Sequence, residues 1–253
     1  MEYKTSVRTF YNRLVEDYWL KINTLYGQNP INQLYDRREN NAIFQEFLSD
    51  MNLKGTKVLD VACGLGRWII RYAKRGANVV AVDLSLNMLN YAKANAAKWD
   101  VTASFICCDA ENLPFKDDAF DLVNCIDALT ARPRGPKRSI EEITHVTNKL
   151  AIIEPSNLLS PVGIFWWFRN LWRKIKRKLG LKTMEPGFWL FPIQIRKIIE
   201  ELNLKILNVN SMGIILPPFK KFLNAISIID KKLSEKRLFK WRGSRLLLMC
   251  SKK

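Results

Sequence analysis

Val58-Leu59-Asp60-Val61-Ala62-Cys63-Gly64-Leu65-Gly66-Arg67-Trp68 decides how this chain folds. An apolar, β-branched run ends in a short loop with two glycines, and a helical pattern, Trp68-Ile69-Ile70-Arg71-Tyr72-Ala73, follows at once. A strand that stops in such a loop lets a ligand approach the backbone closely, at the start of the next helix. The stretch therefore reads as a cradle for a nucleotide-type cofactor. A dinucleotide site would need G-x-G-x-x-G, but Ile69 stands where the third glycine belongs.

Further along, Asn78-Val79-Val80-Ala81-Val82-Asp83 reads as a second strand closed by an acid, with Leu84-Ser85-Leu86-Asn87-Met88-Leu89 after it. An ionised carboxylate offers only acceptors, so it can take both hydroxyls of a ribose. A third strand, Ala103 to Cys108, ends in Asp109-Ala110, placed to meet the polar edge of a base. Leu113-Pro114-Phe115-Lys116-Asp117-Asp118-Ala119-Phe120-Asp121-Leu122-Val123 is a turn feeding a fourth strand. Each acid alone equally reads as a helix cap; an acid at three successive strand ends is more than capping requires. Strands are predicted at 57–62, 78–83, 103–108, 120–126 and 149–154, a helix at Ile193–Glu201, and strands at Lys205–Met212 and Arg245–Cys250. This alternation predicts an α/β fold built on a doubly wound sheet.

The phrases D-x-x-C-G-x-G (Asp60 to Gly66), D-x-S-x-x-M-L (Asp83 to Leu89) and D-A-x-x-L-P-F-x-D-x-x-F-D (Asp109 to Asp121) stand in one order. Together they resemble the class I S-adenosylmethionine-dependent methyltransferases, and within them the branch of ubiquinone and menaquinone biosynthesis. The resemblance implies a Rossmann-like seven-stranded sheet whose last strand lies antiparallel between the fifth and sixth. It implies S-adenosylmethionine as cofactor and S-adenosylhomocysteine as product. One domain, 1–253, would comprise an N-terminal helical lid (1–50), a cofactor core (51–155), an insertion (156–190) and C-terminal strands (191–253) with a helical insertion at 217–240.

By the same resemblance, Asp60 belongs to the cofactor phrase and the backbone of Ala62, Cys63, Gly64 and Gly66 faces the methionine part. Asp83 takes the ribose, Leu84 and Met88 the adenine face, Asp109 and Ala110 the adenine edge. Cys125 and Ile126 close the site near the methyl group. Tyr11 and Tyr18, in the helix Phe10–Tyr18, resemble the lid. If the acceptor must lose a proton, Tyr18 and Asp127 are the catalytic candidates, with Glu154 beside them; each reads equally as a helix or turn contact. One departure is Val146-Thr147-Asn148-Lys149-Leu150, which replaces the family's Pro-Gly-Gly turn and puts its geometry in doubt. His145, just before it, reads as structural.

Cys63, Cys107 and Cys108 suggest redox or metal chemistry, but the chain has no C-x-x-C and a single histidine. Small buried strand cysteines are the better reading, and no metal is expected. An odd number of cysteines, five, with a charged Met1–Phe10 stretch in place of a secretory signal, points to a reducing, cytoplasmic compartment. No uncharged apolar run reaches the roughly 18 residues that span a bilayer.

Charge divides the chain sharply. Residues 1–155 carry 20 Lys/Arg against 19 Asp/Glu, whereas 156–253 carry 21 against 5, so the second half is suited to something anionic. The spacing predicts an amphipathic helix in 164–179: Ile164, Trp167, Phe168, Leu171, Trp172, Ile175 and Leu179 share a face opposite Arg169, Arg173, Lys174, Lys176 and Arg177, with Trp166 the exception. Phe219–Lys236 repeats the scheme, with Phe222, Leu223, Ile226, Ile229 and Leu233 opposing Lys220, Lys221, Lys231 and Lys232. Aromatic rings on one face and cations on the other suit an interfacial membrane helix.

Three readings follow. The helices pack on the sheet and their lysines are a solvated surface; or the basic, aromatic half binds RNA; or it meets an anionic membrane surface. Against RNA, the N-P-P-[YF] tetrapeptide of amino-methylases is absent after the fourth strand, where Asn124-Cys125-Ile126-Asp127 stands, and neither Pro-Cys nor Thr-Cys occurs. The preferred expectation is a methyltransferase peripheral on the inner face of the membrane, acting on a lipid or quinone head group. RNA is the runner-up and a soluble small molecule the further alternative.

Overall fold

A computed structural model describes residues 2–14, 30–129, 135–179, 189–213, 223–236 and 240–253. Two helices, α1 (Glu2–Leu14) and α2 (Pro30–Asn41), precede the sheet, and a π-helical turn, Ala42–Phe47, continues α2. Then come β1 (Lys57–Val61), α3 (Arg67–Ala73), β2 (Asn78–Asp83), α4 (Leu86–Lys98), β3 (Ser104–Cys107) and β4 (Phe120–Cys125). They are followed by α5 (Lys137–Val146), β5 (Thr147–Ile153), α6 (Pro161–Lys178), α7 (Pro192–Glu201), β6 (Leu204–Met212), α8 (Leu223–Glu235) and β7 (Arg245–Lys252).

The strands form one sheet in the order β3-β2-β1-β4-β5-β7-β6. Pairs among β1 to β5 are parallel, and β7 lies antiparallel between β5 and β6, as expected. Helices cover both faces, which is why the central strands read as unbroken apolar runs. Leu59, Val61, Val123 and Ile153 pack with Ile140, Ile143, Ile195 and Ile199 on one face. Val58, Leu122 and Ile152 pack with Trp68, Ile69, Tyr72 and Ile43 on the other. Within β7, Leu246 and Leu248 go to the first face and Leu247 to the second, following the two-residue period of a strand.

The replaced turn before β5 has a plain structural answer. α5 runs straight into β5: Thr147 turns to extended backbone (ψ 125) while its Oγ1 donates to the Ile143 carbonyl at 2.5 Å. The strand consequently starts two residues earlier than expected. In the last turn of α5, His145 Nδ1 lies 2.8 Å from Asp117 and ties the helix to the turn before β4. This is the edge of the sheet where the parallel strands begin, away from the glycine loop.

Both C-terminal insertions arise at the opposite edge. α6 follows the end of β5, and α8 lies between the end of β6 and the start of β7. Their roots are knotted together by Asn157, which is buried and donates from Nδ2 to the carbonyls of Trp241 (2.8 Å) and Gly243 (2.9 Å). Ser160 caps α6 by accepting from Gly163 N–H at 2.8 Å, and a Leu158 N–H to Leu190 carbonyl bond (2.8 Å) closes the insertion's base. The knot has no spare room: a Cβ on Gly243 would lie 2.5 Å from the Met212 backbone nitrogen and oxygen, and Gly163 is hemmed in by the carbonyls of Asn157 and Leu158.

The apolar face of α6 does not lie on the sheet, and two isoleucines of α8 point outward as well. On α6, Ile164, Trp167, Phe168, Leu171, Trp172 and Ile175, with Leu179 just beyond it, are all 43–71% exposed. α8 is held by a polar residue: Asp230 is buried, pairs with Arg38, and accepts from Gly213 N–H at 3.0 Å. Of the predicted apolar face, Ile229 is exposed and Leu233 is half-buried. Residues 219–222 of that predicted helix lie outside the described residues. No helix among the described residues is long and apolar enough to cross a membrane.

Gly243→Ala should cost about 2–3 kcal/mol, because the added methyl meets backbone that cannot yield. Urea unfolding checks this; a loss within experimental error would mean that the knot is loose.

Candidate functional site

The glycine loop owes its shape to three residues with left-handed backbone in a span of five, Ala62 (φ 56), Gly64 (φ 53) and Gly66 (φ 84). Cys63 N–H reaches the Val82 carbonyl at 3.0 Å, pinning the loop to the neighbouring strand. At Gly66 the left-handed backbone alone strains any other residue, and a Cβ would also lie 3.2 Å from the side chains of Ala92 and Ile69. The close approach of α3 and α4 thus fixes the loop's path.

Asp83, closing β2, holds two segments together. Its Oδ2 accepts Gly64 N–H at 3.0 Å and its Oδ1 accepts Ser85 N–H at 2.9 Å. These two bonds fix the orientation of the carboxylate. Ser85 caps α4 by accepting Met88 N–H at 3.1 Å, and its hydroxyl lies 2.5 Å from Asn12 Oδ1 on α1. Asp109, just past β3, accepts Glu111 N–H at 3.0 Å and pairs with Lys4 of α1. Met88 and Ala110 are buried and Leu84 half-buried in the same region. α1 is therefore fastened over the ends of β2 and β3.

Asp60 is buried beneath the loop. Its Oδ1 accepts from Asn124 Nδ2 at 2.8 Å, while its Oδ2 has no hydrogen-bond partner among the described residues. Burial pushes its pKa up to about 7; the Asn124 bond pulls it down and the charge of Asp83 pushes it up again.

At the ends of β4 and β5 lies an ionic cluster that no short motif announced. Arg67 binds Glu39 (2.6 Å), Asp127 (2.8 Å) and Asp36 (3.2 Å). Arg245 binds Glu39 (2.6 Å) and Asp127 (2.7 Å), with Glu154 at 3.6 Å, and Arg71 takes Asp36 at 2.6 Å. Glu154 Oε2 also accepts Asp127 N–H at 3.1 Å. Burial raises Glu39, and raises Glu154 to about 7, with Arg245 pulling each the other way. For Asp127 burial acts upward too, but the guanidinium groups of Arg245 and Arg67 hold it below the usual carboxylate range. Oxygens of Glu39, Asp127 and Glu154 converge within 4.8 Å of one another, a spacing that a cation could use. In this structure the guanidinium groups supply the opposing charge.

The structure thus brings Asp60, Ala62, Cys63, Gly64, Gly66, Asp83, Leu84, Met88, Asp109 and Ala110 to the ends of adjacent strands at one edge. Cys125 and Ile126 are buried beside them at the end of β4. Asp127 follows, with its side chain 39% exposed and its carboxylate held by two arginines. Tyr18 lies outside the described residues. Tyr11 is on α1, edge-on to Phe10 with ring centres 5.2 Å apart. Cys63 is buried as expected and Cys108 half-buried, whereas Cys107, at the end of the sheet's edge strand β3, is exposed; Cys125 and Cys250 are buried, and all five are free thiols.

Such a site defines a nucleoside-binding α/β protein, and comparison with known proteins narrows it. Residues 58–149 match the family described as a methyltransferase domain. A ubiquinone biosynthesis O-methyltransferase of Coxiella burnetii is 30% identical over 152 residues, covering 59% of this chain and 57% of that protein. This chain therefore spans a little over half of that relative's length. An uncharacterized methyltransferase of Synechocystis is 34% identical over 146 residues, covering 53% of this chain and 67% of that one. Among solved structures, magnesium protoporphyrin IX methyltransferase of Synechocystis with bound S-adenosylhomocysteine superposes with a TM-score of 0.70 at 19% identity, covering 99% of this chain and all of that one. The chain belongs to the class I S-adenosylmethionine-dependent methyltransferases, and S-adenosylmethionine is the cofactor of that family.

The residues present fit this cofactor. A positively charged group brought against Asp60 would give its orphaned oxygen a partner, and the oriented carboxylate of Asp83 suits a ribose.

Two outcomes follow. The folded-state pKa of Asp60 lies above its ordinary 3.8, so its contribution to stability is fully present below that value and is lost as pH rises through about 7. Relative to the natural chain, Asp60→Asn should therefore gain roughly 2–4 kcal/mol between about pH 4 and pH 8. Urea unfolding at several pH values checks it; parallel pH profiles for the two proteins would show that Asp60 ionises normally. Asp83→Ala should lower the affinity for S-adenosylmethionine at least tenfold in calorimetry, and an unchanged affinity would refute the ribose assignment.

Proposed function

We propose that this chain transfers the methyl group of S-adenosylmethionine to the head group of a lipid or lipid-like quinone while resting on a membrane surface. The observation that carries the proposal is the exposed apolar face of α6, flanked by Arg169, Arg173 and Lys176 and starting at the edge that carries the glycine loop. Tryptophan and phenylalanine on such a face suit the head-group level of a bilayer, where each cation gains about 1 kcal/mol near anionic lipid. The name of the Coxiella relative, which places it in ubiquinone biosynthesis, favours an acceptor of that kind. A cytoplasmic location at the inner face follows from this reading.

When bound, S-adenosylmethionine supplies a methyl group already activated by a sulfonium, with S-adenosylhomocysteine left behind. The work of the chain is then alignment and exclusion of water. Asp83 and the Gly64 backbone orient the cofactor, Met88 and Ala110 wall its base, and Cys125 and Ile126 form the apolar floor next to the acceptor. Lys4 and Asn12 bring α1 down as a cover. Asp127 is the carboxylate that faces the acceptor side. Held low by two arginines, it serves to orient a donor group more readily than to remove its proton. Tyr18 is the other group proposed for that side.

Transfer of labelled methyl from S-adenosylmethionine into a cell extract, followed by separation of lipid, RNA, protein and small molecules, tests the proposal. Label should appear in the lipid fraction and vanish with Asp83→Ala. Label confined to RNA or to water-soluble small molecules would overturn the lipid assignment.

A further inference from the structure

We infer that α6 and α8 form one rigid, two-helix docking surface for an anionic phospholipid bilayer; the inference rests on the membrane reading above and assigns α8 a part in it. Three observations converge. First, α8 buries polar residues and turns apolar ones outward at its centre. Asp230 is its buried anchor, engaging Arg38 and Gly213 N–H, with Ser234 buried one turn on. Ile228 and Ile229 are consequently 59% and 50% exposed, with Lys231 and Lys232 exposed beside them. An apolar pair next to lysines is the same chemistry as the face of α6.

Second, the two helices do not hang independently. Asn157 at the root of α6 donates to the carbonyls of Trp241 and Gly243 on the return from α8, and Asn157 N–H reaches the Ser244 carbonyl at 3.2 Å. Each root is itself close-packed, Gly163 against Asn157 and Leu158 and Gly243 against Met212 at the end of β6. Two surfaces tied at their roots lose less freedom on binding together than two tethered loosely, so their contributions combine.

Third, exposed apolar residues gather on this side of the molecule. Leu159, Phe191 and Ile193 stand at the base of the insertion, where the Leu158 N–H to Leu190 carbonyl bond closes it. Of the large exposed apolar residues described, only Trp99 and Leu207 belong to segments away from the edge where β1 to β6 end or the helices rising from it. The charge matches an anionic partner, since residues 156–253 carry 21 basic against 5 acidic side chains. A bilayer offers both anionic head groups and an apolar layer below them. Polynucleotide offers bases to stack on but no continuous apolar layer for isoleucines.

Flotation with vesicles of phosphatidylcholine mixed with phosphatidylglycerol, using the full chain, tests this. Ile228→Ser with Ile229→Ser should weaken binding about tenfold, as should Trp167→Ser with Trp172→Ser, and the four together more than either pair. The affinity of the Ile228/Ile229 variant for S-adenosylmethionine should be unchanged, which shows that it folds. Pure phosphatidylcholine vesicles should bind at least tenfold more weakly than the mixture. Release by the tryptophan pair with none by the isoleucine pair would overturn the two-helix surface and leave the membrane reading standing. Vesicle binding untouched by either pair would overturn both. So would binding of polyuridylate in preference to vesicles, or a solution dimer that the tryptophan pair dissociates.

Discussion

The antiparallel placement of β7 between β5 and β6 is the constraint on which the rest of the molecule depends. With β7 reversed, the segments after β5, after β6 and before β7 all meet at the edge where the parallel strands end. That edge already holds the glycine loop and the acids that follow β2 and β3. Candidate cofactor residues, buried ionic cluster and both exposed helices are therefore neighbours by topology. Ligands in open α/β sheets gather at this edge for the same reason.

The edge is expensive to build. Glu39, Glu154 and Arg67 are buried charges, and burial of that kind costs several kcal/mol per group unless opposing charges and hydrogen bonds meet it. Here they meet in one network drawing on α2, α3, the ends of β4 and β5 and the start of β7. The network fastens α2 to the start of α3, next to the glycine loop, and it fixes Asp127 just past the end of β4. Asp60 is the opposite case. Its orphaned oxygen and raised pKa destabilise the protein near neutral pH, which is intelligible if a cationic ligand completes its surroundings.

Much of this was legible in the sequence, and what was legible is local. The strands announce themselves through apolar runs that end in Asp60-to-Gly66, Asp83 and Asp109, because the chemistry of a strand end sits within a few residues. Thr147 shows the limit of local reading. A side-chain bond to Ile143 does the work of the expected turn, and sequence alone does not distinguish it from a strand residue. The ionic cluster was not legible as a unit, since Asp36 and Glu39 of α2, Arg67, Asp127, Glu154 and Arg245 come from five separate stretches, and of these only Asp127 and Glu154 stood out in the sequence. For α8, periodicity defines an apolar face but not whether that face packs on the sheet or is exposed. The hydrogen bond and ion pair of Asp230 decide it for the next residue, since they anchor the helix with Ile229 on the outside. The composition of α6 was read correctly as amphipathic, but only the fold shows its face exposed.

Hydrogen exchange along the whole chain, first with S-adenosylmethionine and then with anionic vesicles added, tests the central claim most directly. The account predicts that the cofactor slows exchange at 62–66, 83–88 and 109–110. It predicts that vesicles slow it at 159–179 and 228–232, with residues 74–77 and 99–101 at the opposite edge unchanged. Protection by vesicles at that opposite edge, or none on α6, would contradict a molecule whose cofactor edge meets the membrane.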